Sequence, residues 1–226
     1  RSVDLVVSSV AGDPLETMGF SKQSISPSLA DRLMYSPPTK EPNTLAIALG
    51  ANLPSSLGKP ISTLIAVRPE IEKIISEWLS SSLRENDVIE NVYKELRFRW
   101  SPLFETEPIG GPADQPRYIN AVLVVDGARL SSLTPSEKAA INLLERFLII
   151  EKSYGRDREK TNIRWGPRSL DIDLLAWGAL HIQNKVLTLP HPRLIERDFV
   201  ILPLAEALNN GSQKPRRIPP QENWQE

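Results

Sequence analysis

Ser169–Trp177, SLDIDLLAW, sets two aspartates at i and i+2 inside an otherwise apolar run. Leu170, Ile172, Leu174 and Leu175 mark the run as a strand, and successive strand side chains point to opposite faces. Asp171 and Asp173 therefore share one face, while Leu170, Ile172 and Leu174 point to the other. Their Cα atoms should lie roughly 6.5–7 Å apart, and two bare carboxylates there repel by about 2–3 kcal/mol at an effective dielectric near 20. Something positive belongs between them. In the apo chain the pair is expected to cost stability, so removing either aspartate should relieve on the order of 1 kcal/mol after screening.

The preceding loop carries the positive charge. Between Gly155 and Arg168 lie Arg156, Arg158, Lys160, Arg164 and Arg168, opposed by Asp157 and Glu159. The guanidinium fork suits phosphate oxygens and keeps its charge. Two carboxylates beside such a loop describe a polyphosphate with magnesium, the metal taking carboxylate oxygens and bridging phosphates. A blander reading stands beside it: a D-x-D strand is often a salt-bridged pair or an exposed edge, and loop arginines are often solvated. By the same reasoning Trp165 is a packing residue, Gly166–Pro167 a turn, and His191, between two prolines, a stiff turn histidine.

Working outward, TLAIALG reads as a buried strand ending at Gly50, with Asn52 in a turn. From Pro60 to about Ser81, Ile61, Leu64, Ile65, Ile71, Ile74, Ile75 and Trp78 recur at helical spacing, with Pro69 starting a second segment or kinking the helix. LRENDVIENVYKEL is a short helix or a surface loop. RFRWSPLFET is extended, EPIGGPADQP a loop and YINAVLVVD a strand. Thr134 as cap and Pro135 at the first helical position open a helix through Lys152, with a stripe of Ile141, Leu144, Phe147, Leu148 and Ile150. IQNKVLTLPHP adds a strand and turn, and DFVILPLAEAL a last helix. The order strand, helix, strand, strand, helix, strand predicts an α+β, ferredoxin-like βαββαβ core: an antiparallel sheet with both helices on one face. Residues 1–43 are expected to be a poorly ordered extension, 44–208 the domain and 209–226 a polar tail.

Composition narrows the chemistry. Lys and Arg total 27 against 28 Asp and Glu, so bulk charge gives no reason to expect nucleic acid or an anionic membrane. With no cysteine and two histidines, disulfides, thiolate nucleophiles and Cys- or His-rich zinc sites are out. No apolar run approaches the roughly 20 residues of a membrane span. The Walker, G-x-S-x-G and G-x-G-x-x-G patterns do not occur, nor does the aromatic signature of an RNA-recognition motif. A cytoplasmic chain is the expectation. It opens on Arg1 rather than methionine, which suggests a piece of something longer.

The segment G-R-x-R…R-W-G-P-R-S-L-D-I-D-L-L, followed by L-T-L-P-H-P-R and E-R-D-F-V, resembles the 6-hydroxymethyl-7,8-dihydropterin pyrophosphokinase family of folate biosynthesis. G-A-N-L at Gly50–Leu53 and T-E-P-I-G…Q-P-x-Y-I-N at Thr106–Asn120 share the likeness, which covers about Thr44 to Leu208. The resemblance implies transfer of pyrophosphate from ATP to the pterin hydroxymethyl oxygen, leaving AMP. It implies that Asp171 and Asp173 bind two Mg²⁺ and that Arg156 and Arg168 hold the phosphates, assisted by Arg158, Arg164 and His191. Glu151, Leu187 and Thr188 would line the nucleotide. Tyr118 and Phe199 would sandwich the pterin, with Gly50, Asn52, Asn120 and the Thr106–Ile109 backbone at its polar edge and Trp165 and Arg197 on closing loops. An aromatic heterocycle suits a stacking slot. The transfer needs positioning and neutralisation more than a base, and none is assigned. Against the family pattern, Glu107 stands where many relatives have proline and Leu148 where many are polar. Two extra residues separate Arg158 from Arg164, Ser82–Leu96 reads as an insertion, and residues 1–43 match nothing.

Two other classes compete. A palm-like nucleotidyl transferase or cyclase would need a further carboxylate on a neighbouring strand, and RFRWSPLFET and YINAVLVVD offer none obvious. A nucleic-acid-binding module is disfavoured by balanced charge. The expected partners are small molecules only, for a monomer or a part of a fused folate-pathway enzyme.

Overall fold

LAIALGA, Leu45–Ala51 (β1), is buried at all seven residues, because the strand is flanked on both sides. It pairs antiparallel with Tyr118–Asp126 (β4) on one side and Asp171–Trp177 (β5) on the other. The computed structural model describes residues 43–83, 92, 94–108, 111–156, 166–192 and 216–224. Arg97–Trp100 (β2) and Phe104–Thr106 (β3) both pair with β4, and the main sheet runs β5-β1-β4-β3. RFRWSPLFET is thus two strands. Trp100 faces Leu123 and Phe104 faces Asn120, so the β2–β3 side carries one extra residue around Pro102, which has no amide to give the ladder.

Helices Pro60–Leu83 (α1) and Glu137–Ser153 (α3), the latter preceded by short Ala128–Ser132 (α2), cover one sheet face. Leu45, Ile47 and Leu49 join Leu64, Ile75, Trp78, Leu143 and Phe147 in one core. Trp78 meets Trp177 edge-on at 5.2 Å and donates its indole N–H to the Ala139 carbonyl at 2.9 Å. Ala46, Ala48, Val122, Val124, Leu175 and Ala176 form a separate buried cluster on the other face.

Several expectations need correction. Of the two readings of Pro69, a new segment is overturned, since the proline lies inside a single helix. Its ring costs about 3 kcal/mol, but Val67, Ile71 and Ile75 on either side are fully buried at roughly 1.5–3 kcal/mol each. Burial wins. The cap of α3 is Ser136, whose hydroxyl accepts the Ala139 amide at 3.3 Å, so Thr134 and Pro135 precede the helix. Its buried stripe is Ala140, Leu143, Phe147 and Ile150, while Ile141, Leu144 and Leu148 flank it half-buried. Val92 and Leu96 are buried, so that end of LRENDVIENVYKEL is no surface loop. In place of the one appended strand and turn expected, Ile182–Gln183 (β6) and Thr188–Leu189 (β7) form a two-stranded hairpin. The extension 1–42, most of the 82–96 insertion and the helix expected at DFVILPLAEAL lie outside the described residues.

The C-terminal segment is not a polar tail. Arg216–Arg217 (β8) extends the sheet beyond β3, and Ile218 and Trp224 are buried. An open strand edge is a row of unused donors and acceptors, and here the chain's own end occupies it. The Ile218 amide donates to Leu103 at 2.8 Å. The Trp224 indole donates to the Ser101 carbonyl at 3.0 Å and meets Trp100 edge-on at 5.1 Å. The Arg68 guanidinium stands 5.2 Å from both rings. Trp224→Phe removes the indole donor, so it should cost about 1 kcal/mol, or about 2–4 °C in a melting curve. An unchanged midpoint would deny that Trp224 anchors this end.

Candidate active site

Sheet register assembles the site on the face away from the helices. Asp171 faces Gly50, Gly50 faces Asn120, and Asn120 faces Phe104, making one row across four strands. Asp173, Ala48 and Val122 make the next row. Tyr118, two residues from Asn120 and paired with Thr106, lies on the same face. Asp171 and Asp173 alternate with buried Ile172 and Leu174, as the strand period requires.

Small residues in β1 form the floor. A Cβ on Gly50 would meet Asn120 Oδ1 at 2.7 Å and Tyr118 Cδ1 at 3.7 Å. Asn120 cannot retreat freely, because its amide donates to Thr106 Oγ1 at 2.7 Å. Asn52 is a buried tie: its Nδ2 donates to the Pro116 carbonyl at 3.0 Å, and its Oδ1 accepts the Arg168 amide at 2.7 Å. The Arg168 carbonyl accepts the amides of Asn52 and Leu53, each at 3.0 Å. The Tyr118 hydroxyl donates to Gly166 at 3.1 Å. Burial pushes that phenol up, and the Arg168 guanidinium pulls against the rise.

Asp171 sits between two arginines. Arg168 Nη1 donates to one carboxylate oxygen at 2.5 Å, and Arg156 Nη1 donates to the other. The three side chains are 19%, 13% and 13% exposed for Arg168, Arg156 and Asp171. Burial pushes the Arg168 guanidinium down, but the charge and hydrogen bond of Asp171 together with Tyr118 and Asp173 outweigh it, and the net movement is up. Among the described residues, Asp171 has a pair of arginines as its positive partners. This reverses the stability expectation for Asp171. Breaking this largely buried, hydrogen-bonded cluster takes the Asp171 carboxylate from Arg168 and leaves Arg156 to Glu151, so its removal costs stability.

The donor set still fits magnesium. Two carboxylates share one strand face, and magnesium at nucleotide sites takes one or two carboxylates, completing its shell with phosphates and water. Among the described residues there is no group of three or more His, Asp or Glu that would cage a metal without a ligand's help.

The family model described as 7,8-dihydro-6-hydroxymethylpterin-pyrophosphokinase matches residues 46–209. The chain belongs to this family. The 2-amino-4-hydroxy-6-hydroxymethyldihydropteridine pyrophosphokinase of Haemophilus influenzae is 33% identical over 163 residues, covering 72% of this chain and 80% of that protein. The protein of the same name from Bacillus subtilis is 41% identical over 106 residues, 47% of this chain and 56% of its own. The mitochondrial folate synthesis bifunctional protein of Arabidopsis thaliana is 40% identical over 113 residues, 50% of this chain and 18% of that longer protein. Against the Bacillus relative the match thus spans little more than half the relative's length.

Of the residues that the pterin pyrophosphokinase resemblance singled out, Gly50, Asn52, Thr106, Tyr118, Asn120, Arg156, Arg168, Asp171 and Asp173 gather on or beside this sheet face. Glu151 instead lies buried at the end of α3, 1% exposed. Leu187 is packed into the main core, and both its backbone groups bond to Asn184. Thr188 pairs with Gln183 in the hairpin, and the His191 amide donates to Leu175 at 2.7 Å, which ties the hairpin to β5. Ile109, Arg158, Arg164, Trp165, Arg197 and Phe199 lie outside the described residues. No helix among the described residues is long and apolar enough to cross a membrane.

Proposed function

We propose that the chain transfers pyrophosphate from ATP to 6-hydroxymethyl-7,8-dihydropterin, giving the pterin diphosphate and AMP. The observation that carries this reading is the Arg156–Asp171–Arg168 cluster, one strand away from the Gly50–Asn120–Tyr118 floor, in a member of this family. The strand order supports a ferredoxin-like arrangement of the core. In the reaction the hydroxymethyl oxygen bonds to the β-phosphorus and the bond from that phosphorus to the α–β bridging oxygen breaks. AMP leaves with that oxygen, and the hydroxyl proton passes to solvent.

Asp171 and Asp173 would hold two Mg²⁺, which supply Lewis-acid neutralisation of the phosphate oxygens. Arg156 and Arg168 bind and orient the phosphates with their forks. Tyr118 supplies one wall for the pterin, and Asn120, held by Thr106, reads its polar edge. Phosphoryl-type transfer depends on this positioning and charge neutralisation. Formation of AMP from ATP, dependent on added hydroxymethyl-dihydropterin, tests the proposal. Hydrolysis without the pterin, or none with it, would sink the reading.

The pterin wall has its own test. Tyr118→Ala should weaken pterin binding about ten- to a hundredfold, since a base–aromatic stack is worth about 1–3 kcal/mol. ATP affinity should hardly change. Calorimetric titration of both ligands checks this, and an equal loss for both would make Tyr118 a general structural residue.

A further inference from the structure

We propose that Glu151 and Gly155 are positioning residues that aim Arg156, and that Glu151 does not line the nucleotide; this rests on the proposed reaction. The turn after α3 carries the argument. The Gly155 amide donates to Lys152 O at 3.1 Å and the Arg156 amide to Glu151 O at 3.0 Å, the paired bonds of a Schellman C-terminus. Gly155 has φ +88°, a conformation that side chains resist. Helix end and glycine together fix where the Arg156 backbone leaves α3.

The side chain is fixed from the same residue. Glu151 Oε1 accepts Arg156 Nη1 at 2.8 Å and the Ile172 amide at 2.8 Å. Ile172 separates the two aspartates, so one buried carboxylate joins the helix end, the arginine and the carboxylate strand. The Leu170 carbonyl accepts the same Nη1 at 3.3 Å. Asp171, the other partner of Arg156, is also the residue a metal would engage. Glu151 is sealed from solvent, so its hold on Arg156 persists when ligands recruit Asp171. A buried ionic bond set beforehand is how a site avoids reorganising during reaction.

A double-mutant cycle tests the role. Glu151→Gln keeps an oxygen for Ile172 but removes the charge facing Arg156. It should lower kcat about tenfold or more, as loss of a supporting partner does at other sites, with a smaller change in KM for ATP. In an Arg156→Ala background the same change should cost less than about twofold, because coupled residues are not additive. Gly155→Ala, which leaves every charge in place, should follow the same pattern if the glutamine variant folds poorly. Equal fold losses with and without Arg156 for the variant that folds, judged by thermal melting, would overturn the positioning role alone. A wild-type protein that forms no pterin-dependent AMP would overturn both it and the proposed function.

Discussion

Asp171→Asn and Asp173→Asn should each lower pterin-dependent AMP formation by more than about a thousandfold, since a carboxylate-held metal supplies several kcal/mol of charge stabilisation. Their binding behaviour should differ. Without metal, Asp171 already neutralises Arg156 and Arg168, so the triphosphate must compete with a protein carboxylate for both forks. An asparagine there removes that competitor. Metal-free ATP should bind Asp171→Asn about tenfold or more tightly than wild type, a gain of about 1.4 kcal/mol. Mg²⁺ should strengthen ATP binding to wild type and do little for this variant. Asp173→Asn should show a smaller gain, because both arginines hydrogen-bond Asp171 while Asp173 acts on Arg168 through its charge. Titrating ATP with and without Mg²⁺ against all three proteins reads this out. Normal turnover of both variants at saturating Mg²⁺ would show that neither aspartate serves the metal.

Thermal melting should separate the same pair of variants. Asp171→Asn takes the carboxylate from mostly buried Arg168 and leaves Arg156 only its pair with Glu151, so its midpoint falls. From the sequence, like-charge repulsion between i and i+2 carboxylates pointed the other way. That inference treated the aspartates as each other's nearest charges. The alternation was legible because it depends only on the period of a strand. The clamp was not: Arg168 is only three residues from Asp171, but its aim is set by a turn tied to Asn52, and Arg156 arrives from a helix end.

The same division runs through the fold. LAIALGA and YINAVLVVD announce themselves through apolar runs, and the βαββαβ order places them side by side. Thr134 reads as the cap because Pro135 at a first helical position is a familiar signal, while the Ser136 hydroxyl on the Ala139 amide starts the helix two residues later. Pro69 marks a break in isolation, yet buried neighbours carry the helix through it. Ile218 and Trp224 are two apolar residues in a polar stretch, too few to read as an element. Their burial needs the vacant edge of β3 and the Trp100–Arg68 surface, which no window of sequence contains. The Gly155 turn had a readable signal, a glycine just past an amphipathic helix.

Arg168→Ala and Arg156→Ala should each lower kcat by about 10²–10³, or about 3–4 kcal/mol of transition-state stabilisation, with a smaller loss in ATP affinity. Charge moves from the β-phosphorus centre toward the AMP oxygen as the bond breaks. Fixed cations help most where charge is developing. Arg168 is prepared for this by its backbone, bonded through both N–H and C=O to the Asn52 turn, and by its Nε, which donates to Gly166 at 3.1 Å. One edge of the guanidinium is therefore committed to the protein and Nη1 faces Asp171. Lysine has neither the fork nor the fixed plane, so Arg168→Lys should recover ATP affinity better than it recovers kcat. Single-turnover rates and equilibrium titrations on the three variants separate the two quantities. If alanine at both positions raises KM and leaves kcat intact, the arginines serve ground-state binding only, and the charge stabilisation assigned to them must come from elsewhere in the site.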